Sequence, residues 1–148
     1  MVNVGASLFA TANQTIPPGI PTQITFNGAT YDTDSMFDPM TSTLVVKTPG
    51  RYLLKGRILW HFDAPQTGPG RELSITVNGI RAAYDFSDIA DLGGNLGQSQ
   101  DVSTIFRLNV GDRVALEASH THESDALSLQ FASTHRLAPQ LQAERLAP

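Results

Sequence analysis

In "RYLLKGRILWHF", residues 51–62, Tyr52, Leu54, Gly56, Ile58, Trp60 and Phe62 occupy alternate positions, opposite Arg51, Lys55, Arg57 and His61. Period two sustained over this length predicts a long strand with one face in a core. Leu53 and Leu59 interrupt the polar face, which predicts that this face is partly covered as well. Just upstream, Leu44 and Val46 alternate with Thr43, Val45 and Lys47, and Pro49-Gly50 reads as a tight connection between the two runs.

The pattern recurs along the chain. Leu73, Ile75 and Val77 share a face before Asn78-Gly79, the strongest short hairpin signal in the sequence. Phe106 and Leu108 are set against Val114 and Leu116 across Val110-Gly111-Asp112, and Leu127, Leu129 and Phe131 form a further face. "SLFAT" and "TQITF" are shorter candidates on either side of Pro17-Pro18-Gly19. No segment carries a helical stripe, and "SDIADLGG" supports one short helical turn at most. About eight to ten strands with regularly spaced turns predict an antiparallel sandwich or barrel. The last stretch, "RLAPQLQAERLAP", shows no strand alternation and is read as an extended C-terminal tail over residues 138–148, outside a domain of residues 1–137.

Composition narrows the class. A chain of 148 residues fits one domain. Cysteine is absent, which removes disulfides, thiolate metal sites and cysteine nucleophiles. A net charge of −4 argues against binding a nucleic-acid backbone. The opening "MVNVGASLFA" has neither a basic n-region nor a long apolar run, so a cytoplasmic protein, or one packed into a particle assembled there, is expected rather than a membrane protein. Charged residues make up only 16% of the chain, which suits a surface partly covered by neighbouring subunits.

With these strands in place, "FDPMTSTLVVKTPGRYLLKGRI" resembles the signature of the C1q/TNF-like superfamily, through Phe37, Asp38, Pro39, residues 43–46, Pro49, Gly50 and Tyr52. "SITVNGIRAA", "IFRLNVGDRVALEA" and "LSLQFASTHRL" are similar, in order, to the family's Asn-Gly strand pair, its Gly-Asp corner and its closing strand. "TFNGATYDTDSMFD" lies where the family has Phe, Asn and then Asp. The likeness spans roughly residues 6–137; it departs at Leu44, where the family usually has an aromatic, and in lacking a collagen stalk. It implies an all-β antiparallel jelly-roll sandwich of about ten strands, and a homotrimer in which one sheet packs around the threefold axis. Leu53 and Leu59 are then candidates for the trimer interface, because closed symmetry buries patches that a monomer exposes.

Candidate chemistry is sparse. His120 and His122, near Glu123 and Asp125, have a spacing that suits a metal or, as the favoured reading, a polar strand end. Asp32 and Asp34 in "YDTDS" make only a fragment of a calcium loop. Ser74, His61 and Asp63 lack any local motif that orders them for catalysis, and Glu72, Glu117, Glu123 and Glu144 are scattered. Trp60 is a possible sugar platform whose parity with Ile58 assigns it to the core. The sequence thus points to a protein that is not an enzyme, uses no cofactor or metal, and works by its surface. The leading expectation is a trimeric virion component of a tailed bacteriophage, such as a decoration protein on the capsid. Its tail residues Arg136, Leu137, Leu141, Arg145 and Leu146 would lie on a neighbour. The alternative is a bacterial C1q-like module that recognises a glycan or surface ligand through loops at residues 63–70 and 87–98.

Overall fold

The computed structural model describes residues 3–61, 68–89, 97–121, 127–129 and 139–148. Among these the protein is all-β: thirteen strands in two antiparallel sheets form a jelly-roll-like sandwich. The first sheet contains β1 (Gly5–Phe9), β2 (Gln14–Ile16), β4 (Gly28–Asp32), β7 (Gly50–His61), β10 (Gly97–Leu108), β12 (Leu127–Leu129) and β13 (Gln140–Ala147). The second contains β3 (Thr22–Gln23), β5 (Phe37–Asp38), β6 (Thr43–Val45), β8 (Gly68–Val77), β9 (Ile80–Ile89) and β11 (Arg113–His120). In the first sheet β10 flanks β7 on one side, while β13 and then β1 and β4 follow on the other. In the second the order is β5, β6, β11, β8, β9.

The alternation in β7 does what the sequence predicts. Tyr52, Leu54, Ile58 and Trp60 are fully buried, and Leu44, Val46, Leu73, Ile75, Leu108, Val114 and Leu116 meet them from elsewhere in the sandwich. Burying an indole or a leucine of this kind contributes about 1.5–3 kcal/mol each. Trp60 belongs to this core and offers no platform to a sugar. Phe62 and Phe131 lie outside the described residues.

Two connections differ from the hairpins that the sequence suggests. β6 lies in the second sheet and β7 in the first, so Pro49-Gly50 carries the chain across the sandwich. β10 and β11 likewise belong to different sheets, and Gly111, at φ 90°, turns the corner between them. Apolar alternation on both sides of a turn is the same whether two strands pair or face one another across a core, so periodicity alone does not separate the cases. Asn78-Gly79 is a true hairpin: φ values of 53° and 79° are those of a two-residue type I′ turn. Asn78 also accepts the Arg113 amide and donates through its side chain to Asp112, which ties this hairpin to the neighbouring corner.

The C-terminal stretch is the main correction. Residues 140–147 are not a tail but β13, inserted between β1 and β7, with Leu141 and Ala143 fully buried. The strand does alternate, as Gln140, Gln142 and Glu144 against Leu141 and Ala143, but Gln, Ala and Glu are poor strand formers and mask it. The strand that closes the sheet is therefore β13 rather than the "LSLQFASTHRL" segment, whose described part, β12, is a short flanking strand.

Candidate interaction surface

The outward face of the first sheet is laid out by register. Across β10, β7, β13 and β1, one rung reads Asp101, Arg57, Gln140, Phe9, and the next reads Ser103, Lys55, Gln142, Ser7. A third rung reads Ile105, Leu53, Glu144, Gly5. Leu53 and Leu59 are both half-buried on this face, Leu53 opposite Ile105 and Leu59 opposite Ser99. Arg57 Nε donates to Asp101 at 2.6 Å. Gln140 and Gln142 each donate through Nε2 to the buried Ser7 hydroxyl, at 3.1 and 3.2 Å. Tyr31 on β4 donates its hydroxyl to Glu144, and burial, with the nearby carboxylate, pushes its pKa up to about 12.

β10 edges the first sheet and β9 edges the second, and they run past one another on the same side of the sandwich. Neither has a second hydrogen-bonded neighbour among the described residues. Long edges of this kind are usually blunted, because their free backbone groups and apolar side chains recruit other chains. Here they carry Ile80, Tyr84, Phe86 and Ile105, which are 74%, 60%, 55% and 61% exposed. Arg81 lies 5.2 Å over the Tyr84 ring and pairs with Glu72, so a cation caps part of the patch.

Tyr84 and Phe86 owe their orientation to an irregularity. Unbroken pairing outward from the Val77–Ile80 turn would set Tyr84 opposite the core residue Leu73. A register shift at Ile75/Thr76 sets it opposite Ser74 instead, with Phe86 opposite Glu72. One extra residue moves a strand's side chains to the other face. The sequence alone gave no sign of this shift, and the patch was missed for that reason.

The proposed tail residues separate. Leu141 is core, while Arg145 is partly buried and bonds the Pro49 carbonyl at 2.9 Å. Leu146 is exposed next to an irregularity in β13, and Arg136 and Leu137 lie outside the described residues.

A buried polar group occupies the end of the sandwich near His61. Trp60 Nε1 donates to Gln100 Oε1 at 2.9 Å, and Gln100 Nε2 donates to the Arg71 and Asp85 carbonyls and to the Asp85 carboxylate. The Arg71 guanidinium lies 5.9 Å from the Trp60 ring centroid, and its burial pulls its pKa down to about 10. His120 meets Trp60 edge-on and shares a 2.7 Å hydrogen bond with the Ile16 carbonyl. That bond places His120 inside the fold, while His122, Glu123 and Asp125 lie outside the described residues. No cluster of three metal-ligating side chains occurs among the described residues. Asp32 uses both carboxylate oxygens on the Met36 and Phe37 amides, so it shapes a turn.

Ser74 sits on the outward side of the second sheet, bonded to Glu72, whereas His61 ends a strand of the first. Ser74 and His61 thus belong to different sheets, and Asp63 lies outside the described residues. No protein-family model matches the chain, and no curated protein matches it at a significant level.

Proposed function

We propose that the protein is a non-enzymatic structural module of the C1q/TNF-like type that assembles as a homotrimer. We further assign it to the virion of a tailed bacteriophage, as a decoration protein that binds and stabilises the capsid shell. The observation that carries the self-association is the side of the sandwich edged by β9 and β10, where Tyr84 and Phe86 are exposed on the outer face of the second sheet and Ile105, opposite half-buried Leu53, on the outer face of the first. A lone monomer gains nothing from such an edge and risks uncontrolled pairing, whereas a closed ring covers it once per subunit. The jelly-roll-like sandwich and the low charge content support a shell component.

With β13 in the sheet, residues 140–147 cannot serve as an arm on the lattice, so attachment falls to faces left outside the trimer. The glycan-binding alternative rests on loops of which residues 63–67 and 90–96 lie outside the described residues, and no described feature favours it. The test is attachment of the purified protein to shells of the particle encoded in the same genome. Saturable occupancy of fixed lattice positions, with shells more resistant to heat, is expected. Shells that bind none of the protein would remove the virion assignment.

A further inference from the structure

The outward face of the first sheet carries an excess of positive charge in a chain whose net charge is −4. Arg51, Lys55, Arg57 and Arg107 point from it against the two carboxylates of Asp101 and Glu144, and only Arg57 forms an ion pair among the described residues, Glu144 being engaged by Tyr31. Arg51 even stands directly opposite Arg107, a like-charge pairing that destabilises a sheet. Uncompensated cations gathered on one face of an acidic protein are the electrostatic footprint of an anionic partner.

The same face holds a depression of about 380 Å³, formed where two consecutive rungs of three strands meet. Its polar lining is Lys55 and Arg57 from β7, Asp101 and Ser103 from β10, and Gln140 and Gln142 from β13. Each glutamine amide is oriented by its bond to Ser7 and keeps a second N–H. Lys55 contributes an ammonium, and Arg57, held by Asp101 at Nε, keeps the donors at the far end of its guanidinium. Donors therefore outnumber acceptors around this cavity, and Asp101 is already engaged.

We propose that this depression binds a small oxyanion (phosphate, sulfate or carboxylate), with Lys55 as the main charge and Arg57, Ser103, Gln140 and Gln142 as hydrogen-bond donors. Every group belongs to one chain, so the site does not depend on the trimer. If the native particle proves to be a monomer, binding stands; if it is a trimer, binding can still fail.

Calorimetric titration of the full chain with sodium phosphate tests this, at ionic strength held constant with chloride and with sulfate and acetate as parallel arms. Saturable binding of one anion per chain is expected. Lys55→Gln should weaken it about tenfold, the size of one charge-assisted hydrogen bond. Asp101→Asn should tighten it, because it removes the opposing carboxylate and releases Arg57; a loss of packing would not have that sign. Phosphate and sulfate binding without acetate identifies a tetrahedral anion, and binding of all three shows that the site reads charge alone. No saturable binding in any arm, an unaffected Lys55→Gln variant, or a weakened Asp101→Asn variant would overturn the proposal.

Discussion

Gly50 sits where the chain leaves the second sheet for the first, and both its φ of 156° and the space around it disfavour a side chain. A Cβ built there would lie 2.3 Å from the Ala147 carbonyl oxygen and 2.7 Å from Arg145 Nε. Backbone cannot yield as a flexible side chain can, so Gly50→Ala should push β13 away from the start of β7. A melting temperature lower by roughly 5–15 °C is expected, the range for a loss of about 2–4 kcal/mol. Calorimetry showing an unchanged transition would mean that β13 does not approach Gly50. The sequence marked Pro49-Gly50 as a tight connection, but not what crowds it, because the neighbour lies almost a hundred residues further on. Asp38, which the sequence offers as part of the family signature, shapes a turn: its carboxylate accepts the Met40 amide. Its second role, a 3.0 Å pair with Arg113 that holds its pKa below the usual range, depends on a long-range contact that no local motif encodes.

β7 was legible because its inward positions from Tyr52 to Trp60, Gly56 excepted, hold large apolar residues, which keeps the period of two visible. β13 was not, because its inward side chains include a small alanine and its outward ones are glutamines and a glutamate. Its strand character comes from its neighbours: five residues pair with β1, and seven, with one irregularity, pair with β7. Removal of residues 140–148 therefore should not trim a dispensable arm. It would open a gap in the middle of the first sheet, strip cover from Leu54 and Leu8, and orphan the backbone groups of two strands. The truncated chain is expected to be insoluble or to lack a cooperative unfolding transition. A soluble truncated chain that melts like the full one would return these residues to the status of a tail. The candidate surface was half legible. Leu53 and Leu59 stood out as apolar interruptions of a polar face, whereas Tyr84 and Phe86 reach the surface only through the shift at Ile75/Thr76.

At the scale of the molecule, the described residues make one sandwich with a well-filled interior and an asymmetric exterior. One side is bounded by two long edge strands with exposed aromatic and aliphatic side chains, and the adjoining sheet face is rich in unpaired cations. Both features suit a subunit that meets other molecules, and neither helps a solitary chain. Self-association is the claim on which the proposed function stands, and the mass of the native particle tests it most directly. Sedimentation equilibrium at micromolar concentration should give three times the 15.9 kDa of one chain. The double variant Tyr84→Glu with Phe86→Glu should shift the particle to one chain while keeping a cooperative melt, since both side chains point away from the core. A wild-type protein that remains at 15.9 kDa across the accessible concentration range would contradict the account.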